Sequence, residues 1–213
     1  MNDIVIRVAL ESDAVFAEKI CSEMESSAKA RGTGIAKRSP LYLTEKMRKG
    51  QAFIALVNGD VAGFCYTESW SDGNYIANSG LIIFPEFRML GLARDLKNFA
   101  FEESRKSKPK AKFFGLTTSL AVMNINSELG YRPVTYSELT NDDAFWSSCK
   151  SCVNYETLQA KDRKNCLCTA MLYDPAWEER RKEKERMRLQ QGLSQSRLTL
   201  TEELEKPIRV QNL

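Results

Sequence analysis

The alternation of apolar and polar residues predicts strands and helices along most of the chain. β-Branched and apolar residues at 4–9 predict a first strand, and apolar positions at helical spacing follow it. A second helix is predicted at 41–48. Two apolar runs, 51–57 and 61–68, flank Asn58-Gly59-Asp60, and this arrangement is a strong signal for a β-hairpin.

The pattern continues with a strand that ends at Phe84, a loop, and an amphipathic helix at 94–106. A strand at 112–118 and a helix at 120–129 follow, and the last strand is predicted at 166–174. A strand also starts after the helix cap at Gly130, and residues 142–150 have a helical pattern. The order β-α-α-β-β-β-α-β-α-β predicts an α/β fold with a mixed sheet flanked by helices.

The composition changes abruptly at Trp177, where the charged run EERRKEKERMRLQQG begins. A run of this kind is typical of a solvated helix or a disordered tail. We therefore predict one domain at 1–175 and a charged tail at 176–213. A second copy of the chain is a candidate partner for this tail, which would make the protein a homodimer.

Composition narrows the classes of function. The chain has 213 residues and a hydrophobic content of 43%, which is enough for one well-packed domain. A net charge of +3 does not indicate nucleic-acid binding, and no apolar run approaches the ~18 residues that span a membrane. No signal-peptide pattern is visible, so we expect a cytoplasmic protein with reduced cysteines. The chain has no histidine, so a general base must be another side chain or a relayed water.

The most informative stretch is SGLIIFPEFRMLGLA at residues 79–93. An apolar strand meets Pro85, the spacing Arg88-x-x-Gly91-x-Ala93 follows, and then a helix begins. Main-chain N–H groups of such a loop converge at a helix N-terminus, and small residues let a ligand approach them closely. The stretch therefore predicts a phosphate-binding loop.

The same residues resemble the acyl-CoA motif of GNAT N-acyltransferases. The turn Leu129-Gly130-Tyr131-Arg132-Pro133 resembles the one that closes the GNAT fold, and the order of elements matches from Ile4 to about Asp174. Met89 departs from the motif, because many members have a glycine there. The resemblance implies a GNAT-like, mostly antiparallel sheet and acetyl-CoA or another acyl-CoA as co-substrate.

The resemblance also implies how the donor is bound. The N–H groups of residues 89–93 would hold the pyrophosphate, and the pantetheine arm would lie between two strands that separate. A main-chain N–H near residues 81–83 would polarise the thioester carbonyl, an effect worth ~3 kcal/mol. The residues implied in binding the acyl-CoA are Leu81, Ile82, Ile83, Arg88, Met89, Leu90, Gly91, Leu92 and Ala93.

The proton donors and acceptors are less clear from sequence. Many relatives have a tyrosine that protonates the leaving thiolate, and the corresponding position here is Asn126, a poor acid. Glu68 and Glu86 are candidate bases, of which we prefer Glu68, although both are also explained as solvated surface carboxylates. Cys65 is a candidate nucleophile, but without a histidine to activate it we interpret it as a buried packing residue.

The acceptor is predicted to bind near the basic segment AKARGTGIAKRSP, which connects the first two helices. Arg31, Lys37 and Arg38 are candidates for binding carboxylate groups, and a solvated basic loop is the alternative. The chain is similar to bacterial GNAT proteins associated with arginine biosynthesis, which implies a small amino-acid acceptor such as glutamate and an acetyl or succinyl donor. The other hypotheses are a protein N-acetyltransferase and a CoA-binding interaction module.

Four of the six cysteines form two close pairs, Cys149-x-x-Cys152 and Cys166-x-Cys168. The first pair suits a turn, and on a strand the second would have both thiols on one face. Four thiolates in this arrangement predict a possible structural zinc site. Reduced, half-buried thiols and a redox pair are the alternatives, and none of them assigns the cysteines to catalysis.

Overall fold

The computed structural model describes residues 3–30, residue 32 and residues 37–204. The chain divides into two compact units, Met1–Asp174 and Pro175–Leu213. Each unit is described separately below. Within the described ranges, no helix is long and apolar enough to cross a membrane.

The first unit contains a seven-stranded sheet with the strand order β1-β2-β3-β4-β5-β7-β6. Every neighbouring pair is antiparallel except β4 and β5, which are parallel. The mixed, mostly antiparallel sheet predicted from the sequence is therefore confirmed. The strands are β1 Ile4–Val8, β2 Ala52–Val57, β3 Asp60–Trp70, β4 Tyr75–Ile83, β5 Lys112–Thr117, β6 Arg132–Pro133 and β7 Thr169–Tyr173.

Helices flank this sheet. Ser39 caps one of them by accepting a hydrogen bond from the Tyr42 N–H at 3.2 Å, and Ser119 caps another in the same way. The helices of the first unit are α1 Ala17–Ala30, α2 Pro40–Arg48, α3 Leu92–Ser107, α4 Leu120–Glu128, α5 Asp143–Ser147 and α6 Tyr155–Ala160.

The strands bury both faces of the sheet in separate apolar clusters. On one face, Phe64 and Tyr66 of β3 pack with Ile20 of α1 and Leu43 of α2. On the other face, Cys65 packs with residues of α3 such as Leu96. Successive β3 side chains therefore alternate between the two faces, as the period of a strand requires.

Some predicted boundaries were wrong near the C-terminal end of the first unit. The last strand begins at Thr169 rather than at residue 166, and α6 was not predicted. The predicted helix at 142–150 is only α5 followed by a short 3₁₀ turn, Ser148–Ser151. This region has few residues with a clear apolar period, so the sequence pattern there is weak.

The described part of the second unit is one helix, α7 Pro175–Leu204, rather than a disordered tail. Side chains at residues 179–190 are exposed. Pairs one helical turn apart support it, including Lys182 with Glu178 at 3.0 Å and Arg186 with Glu183 at 2.6 Å.

Candidate active site

A cleft opens between the two parallel strands of the sheet. β4 and β5 pair only over residues 75–77 and 112–114. Beyond that point, residues 78–83 pair with β3 and residues 115–117 pair with β7. The edges of β4 and β5 that face each other therefore have main-chain N–H and C=O groups without a strand partner, and such groups need a ligand or water.

β4 has a bulge beside this cleft. Tyr66 pairs with Ser79 and Phe64 with Ile82, so Gly80 and Leu81 together face Cys65. A bulge of this kind leaves a main-chain unit out of the ladder. Leu81, the first of the residues predicted to polarise a carbonyl, lies in this bulge.

The bulge requires glycine at position 80. Gly80 has φ of +63°, and a Cβ atom there would lie 2.5 Å from Cε1 of the Tyr66 ring and 2.9 Å from Cε of Met24. Both distances are shorter than a carbon–carbon contact. The bulge and the Tyr66 ring therefore fit each other only because residue 80 has no side chain.

The predicted phosphate-binding loop lies after β4 and leads directly into α3. Met89 and Gly91 both have positive φ, of 71° and 79°, and α3 begins at Leu92. The first N–H groups of a helix have no partner within it and favour an anion. Met89, which replaces the glycine of the motif, adopts the left-handed conformation and is 99% exposed.

Arg88 fixes this loop to the rest of the domain. Its Nε donates to the Ile83 carbonyl at 3.1 Å, and its Nη2 donates to Glu23 Oε1 at 3.1 Å and to Ser27 Oγ at 3.0 Å. The guanidinium thus joins the loop to α1. The N–H groups that the loop can offer to a ligand are then those of the main chain at residues 89–93.

A cavity of about 540 Å³ lies on the α1 and α2 face of the sheet. Two of the three predicted acceptor-binding residues, Lys37 and Arg38, line it together with the predicted base Glu68. The third, Arg31, lies outside the residues that the structure describes. The cavity is lined by Lys37, Arg38, Ser39, Tyr42, Glu68, Trp70 and Ser148.

Glu68 is held at this cavity by two partners. The Tyr42 hydroxyl donates to its carboxylate, and Lys46 Nζ lies 3.3 Å from Glu68 Oε1. Burial and the neighbouring carboxylate raise the pKa of Tyr42, so this hydroxyl keeps its proton at neutral pH. The other candidate base, Glu86, is exposed on the 3₁₀ turn Pro85–Phe87 and does not line the cavity.

Arg38 connects the cavity to the bulge. Its Nε donates to the Tyr66 hydroxyl, and its guanidinium carbon lies 5.6 Å and 5.7 Å from the ring centres of Tyr42 and Tyr66. The same Tyr66 ring packs against Gly80. We call Arg38, Tyr42, Lys46, Glu68 and Tyr66 the pocket cluster.

Lys37 is placed differently from Arg38. Its side chain is 81% exposed and its nearest ionic partner is the exposed Glu25, at 3.3 Å. An exposed pair of this kind contributes little to stability. Of the predicted acceptor residues that the structure describes, Arg38 is the one built into the cavity wall.

The sequence analysis missed a second polar cluster on the opposite face of the sheet. Lys97 of α3 is only 4% exposed, and its Nζ donates to Asn78 Oδ1 at 2.8 Å. Burial lowers the pKa of Lys97 to about 8. The neighbouring Leu96, Ala100 and Phe101 mark this face of α3 as buried, so helical phase could have identified the lysine.

Two further members complete this cluster, which we call the cleft cluster: Cys65, Asn78, Lys97 and Asn126. Asn126 is 1% exposed and its Oδ1 has no hydrogen-bond partner. Cys65 is fully buried, and burial raises the pKa of its thiol to about 11, so it is not a thiolate at neutral pH.

The predicted zinc site is not supported. Among the side chains that the structure describes, at residues 3–30, 32 and 37–190, no group of three or more Cys, Asp or Glu residues is arranged to hold a metal ion. Cys166 and Cys168 precede β7, so the predicted placement of both thiols on one face of a strand was wrong. All six cysteines are free.

Main-chain groups bind two of these thiols instead. The Asn154 N–H donates to Cys152 Sγ at 3.4 Å, and the Cys166 thiol donates to the Asn154 carbonyl at 3.8 Å. Burial, followed by the nearby thiols, raises the pKa of Cys149 and raises that of Cys168 to about 12. These two thiols therefore stay protonated at neutral pH.

Sequence comparison adds little to this picture. No protein-family model matches the chain, and no curated protein matches it in sequence. Structural comparison is more informative, because the described elements match solved structures at low sequence identity.

One similar structure is N-acetylglutamate synthase from Neisseria gonorrhoeae complexed with coenzyme A and N-acetyl-glutamate. The identity is 15% and the TM-score is 0.58, with 81% of this chain and 35% of that protein covered. This chain therefore spans about a third of that synthase.

Two other similar structures are matched over nearly their full length. Diaminobutyrate acetyltransferase from Paenibacillus lautus, in complex with L-2,4-diaminobutyric acid and coenzyme A, has 9% identity and a TM-score of 0.55, with 82% of this chain and 96% of that one covered. The loading GNATL domain of CurA from Lyngbya majuscula has 11% identity and a TM-score of 0.55, with coverages of 82% and 99%. At such identities the match concerns the fold, and the chain has the fold of GNAT acetyltransferases.

Proposed function

We propose that the chain is an acyl-CoA-dependent N-acyltransferase that acts on a small amine. One observation carries this proposal. The cleft with its glycine bulge and the cavity with its carboxylate and guanidinium meet at a single side chain, Tyr66. A donor in the cleft and an acceptor in the cavity would therefore come together at the bulge.

The donor half is supported by unpaired main-chain groups. The free edge of residues 78–83 suits the amides of a pantetheine arm, and the first N–H groups of α3 suit a pyrophosphate. The solved neighbours bound to coenzyme A have the same fold. We therefore assign acetyl-CoA or succinyl-CoA as the donor.

The reaction we propose is direct transfer. Glu68, alone or through a water, takes a proton from the acceptor ammonium. The free amine attacks the thioester carbonyl, and the negative charge that forms on oxygen is stabilised by a main-chain N–H at the bulge, near Leu81. Glu68 passes the first proton to solvent and takes a second one from the nitrogen that is now bonded to the carbonyl carbon. The carbon–sulfur bond then breaks and the CoA thiolate leaves.

The acceptor we propose is an amino acid, with glutamate as the first candidate. Arg38 supplies a guanidinium whose planar donors suit a carboxylate, and it lies in the same cavity as Glu68. Two solved neighbours were complexed with an amino acid or its acetylated form. A cytoplasmic location fits this proposal, because the six free cysteines are typical of a reducing compartment.

The test is release of free thiol from acetyl-CoA and succinyl-CoA with a panel of amino acids, diamino acids and peptides. We expect turnover with an acidic or diamino acid and none with peptides. Turnover with peptide N-termini alone would indicate a protein N-acetyltransferase instead. Measurable CoA binding without thiol release for any acceptor would indicate an interaction module and overturn the proposal.

A further inference from the structure

We propose that Lys97 is the acid that protonates the departing CoA thiolate. This inference rests on the proposed function, because it requires a thioester in the cleft. It assigns the proton donor for which the sequence offered only Asn126, a side chain that cannot act as an acid near neutral pH.

The position of Lys97 follows from the register of the two parallel strands. Ala77 and Phe114 form the last residue pair between β4 and β5. Asn78 and Gly115 are the next residues, and they mark where the strands begin to separate. Lys97 Nζ binds the side chain of Asn78, and Asn126 Nδ2 lies 4.0 Å from the position that a Cβ of Gly115 would occupy. Lys97 therefore approaches the apex of the cleft on the β4 side, and Asn126 approaches it on the β5 side.

The cleft cluster has hydrogen-bonding capacity that the described residues leave unused. A lysine ammonium has three donors, and Asn78 Oδ1 accepts one of them. Asn126 Oδ1 is buried without a hydrogen-bond partner, and Asn78 Nδ2 is buried with only the Cys65 thiol beside it. Buried polar groups are rarely left unpaired, so this cluster is suited to a polar ligand that reaches the apex.

The other groups near Lys97 are poor acids. The titratable side chains that face it are Cys65 of β3 and Tyr131, whose ring centre lies 5.9 Å from Nζ. Burial raises the pKa of Tyr131 and brings that of the Cys65 thiol to about 11. Lys97, with a pKa lowered to about 8, is a stronger acid than an alkyl thiol, since even the more acidic cysteine thiol has a usual value of ~8.5. Proton transfer from Lys97 to the thiolate is therefore favourable in energy, as a general acid requires.

The proposed step balances without another reactant. The carbon–sulfur bond breaks, sulfur keeps the electron pair, and an Nζ–H proton moves to sulfur. The products at the apex are free CoA thiol and a neutral Lys97 amine, which regains a proton from solvent between turnovers. The acceptor nitrogen loses two protons, one from the ammonium before attack and one after the carbon–nitrogen bond has formed. Both leave in turn through Glu68 on the other face of the sheet.

The experiment compares wild-type protein with Lys97→Met and, as a matched control, Lys106→Met. Lys106 lies on the same helix but is exposed. Thiol release from acetyl-CoA is measured between pH 6 and pH 10, with acetyl-CoA affinity measured separately. We expect Lys97→Met to lower kcat about 10²-fold with the KM for acetyl-CoA unchanged, because a general acid contributes at least that much. Wild-type kcat should fall above about pH 8, and this fall should be absent from the variant profile.

A second donor separates chemistry from structure. With an acetyl thioester of a nitrothiophenol, the leaving thiol is a stronger acid and needs no proton, so the deficit of Lys97→Met should shrink. An equal deficit with both donors, or a wild-type kcat that does not fall near pH 8, would overturn the assignment of Lys97 while leaving the proposed function in place. Wild-type protein that releases no thiol with any acceptor would instead refute the proposed function, and the role of Lys97 with it.

Discussion

Adjacent residues of β3 belong to polar clusters with opposite character. Tyr66 belongs to the pocket cluster, where Glu68 is matched by a tyrosine hydroxyl and a lysine, and where Arg38 is matched by two aromatic rings. Cys65 belongs to the cleft cluster, where a buried lysine has an amide as its hydrogen-bond partner and the amide oxygen of Asn126 has none.

The two clusters differ in how their charged groups are held. In the pocket cluster Glu68 is paired with Lys46, and Arg38 has the Tyr66 hydroxyl as its partner, which leaves one positive charge without a carboxylate within the cluster. The cleft cluster keeps a lysine buried at a cost, since burial lowers its pKa. A cost of this kind is typical of a functional group rather than of a packing residue.

The largest effect is expected where the two clusters meet. Gly80→Ala would put a methyl group 2.5 Å from the Tyr66 ring at a residue with φ of +63°. Overpacking and backbone strain together should lower the free energy of unfolding by about 2–5 kcal/mol. The shifted bulge should also lower kcat by at least about 10²-fold, because small misplacements of reacting groups have effects of that size.

Gly59→Ala is the matched control for this change. Gly59 also has positive φ, of +86°, but a Cβ there would meet nothing within 4 Å. In urea unfolding, Gly59→Ala should therefore lose only the free energy that corresponds to backbone strain. In thiol-release assays its kcat should be unchanged. Equal losses in both variants would mean that the fit between Gly80 and Tyr66 has no special role.

The next largest effect tests the pocket cluster as the site of the base. Glu68→Gln removes the carboxylate but keeps the shape, and we expect kcat to fall about 10²- to 10³-fold with little change in acetyl-CoA affinity. Glu86→Gln, at the exposed rival position, is compared in the same assay. A loss with Glu86→Gln and none with Glu68→Gln would reverse the assignment.

The sequence predicted the fold well, because the fold depends on local pattern. The strand ending near Phe84, the turn and the helix are contiguous, although the helix begins at Leu92 rather than at residue 94, so Ala93 belongs to the helix and not to the loop. Glu68 and Arg38 were also proposed from sequence, and the structure brings them to one cavity.

What the sequence could not predict depends on side chains that are distant along the chain. Helical phase alone puts Lys97 on the buried face of α3, but its neighbours Asn78 and Tyr131 are distant along the chain, and only the structure shows them beside it. The prediction for the cysteine segment was wrong for the opposite reason, because it relied on local spacing alone. The spacing of Cys166 and Cys168 suggested a strand from residue 166, but the strand starts three residues later, where β-branched and apolar residues begin at Thr169.

The pH dependence of the free energy of unfolding tests directly how much the burial of charged Lys97 destabilises the protein. The pKa of Lys97 is lowered by burial from 10.5 to about 8, so between these values the unfolded chain binds more protons than the folded one. Stability should therefore rise with pH across this window. Below pH 8 the cost is about 3 kcal/mol, so Lys97→Met should be more stable than wild type by about that amount at pH 7.

Urea unfolding of both proteins at pH 7 and pH 10 measures this difference. The advantage of Lys97→Met should be largest at pH 7 and should shrink at pH 10, where the wild-type lysine is neutral when folded. An advantage independent of pH would mean that the variant gains from packing, and that Lys97 is not held against its charge.

The smallest effect is expected for acceptor recognition, because one guanidinium contact is removed and the catalytic groups remain. Arg38→Ala should raise the KM for a carboxylate-bearing acceptor about 10-fold, the size of one charge-assisted hydrogen bond, while acetyl-CoA affinity stays the same. Lys37→Ala should have a smaller effect, because that side chain is 81% exposed.

An amine acceptor without a carboxylate distinguishes the two possible roles of Arg38. If Arg38 binds the carboxylate, the variant and wild type should have the same KM for this acceptor. If Arg38→Ala raises KM for both acceptors equally, Arg38 instead supports the pocket through Tyr42 and Tyr66, and the cavity selects its acceptor by other contacts.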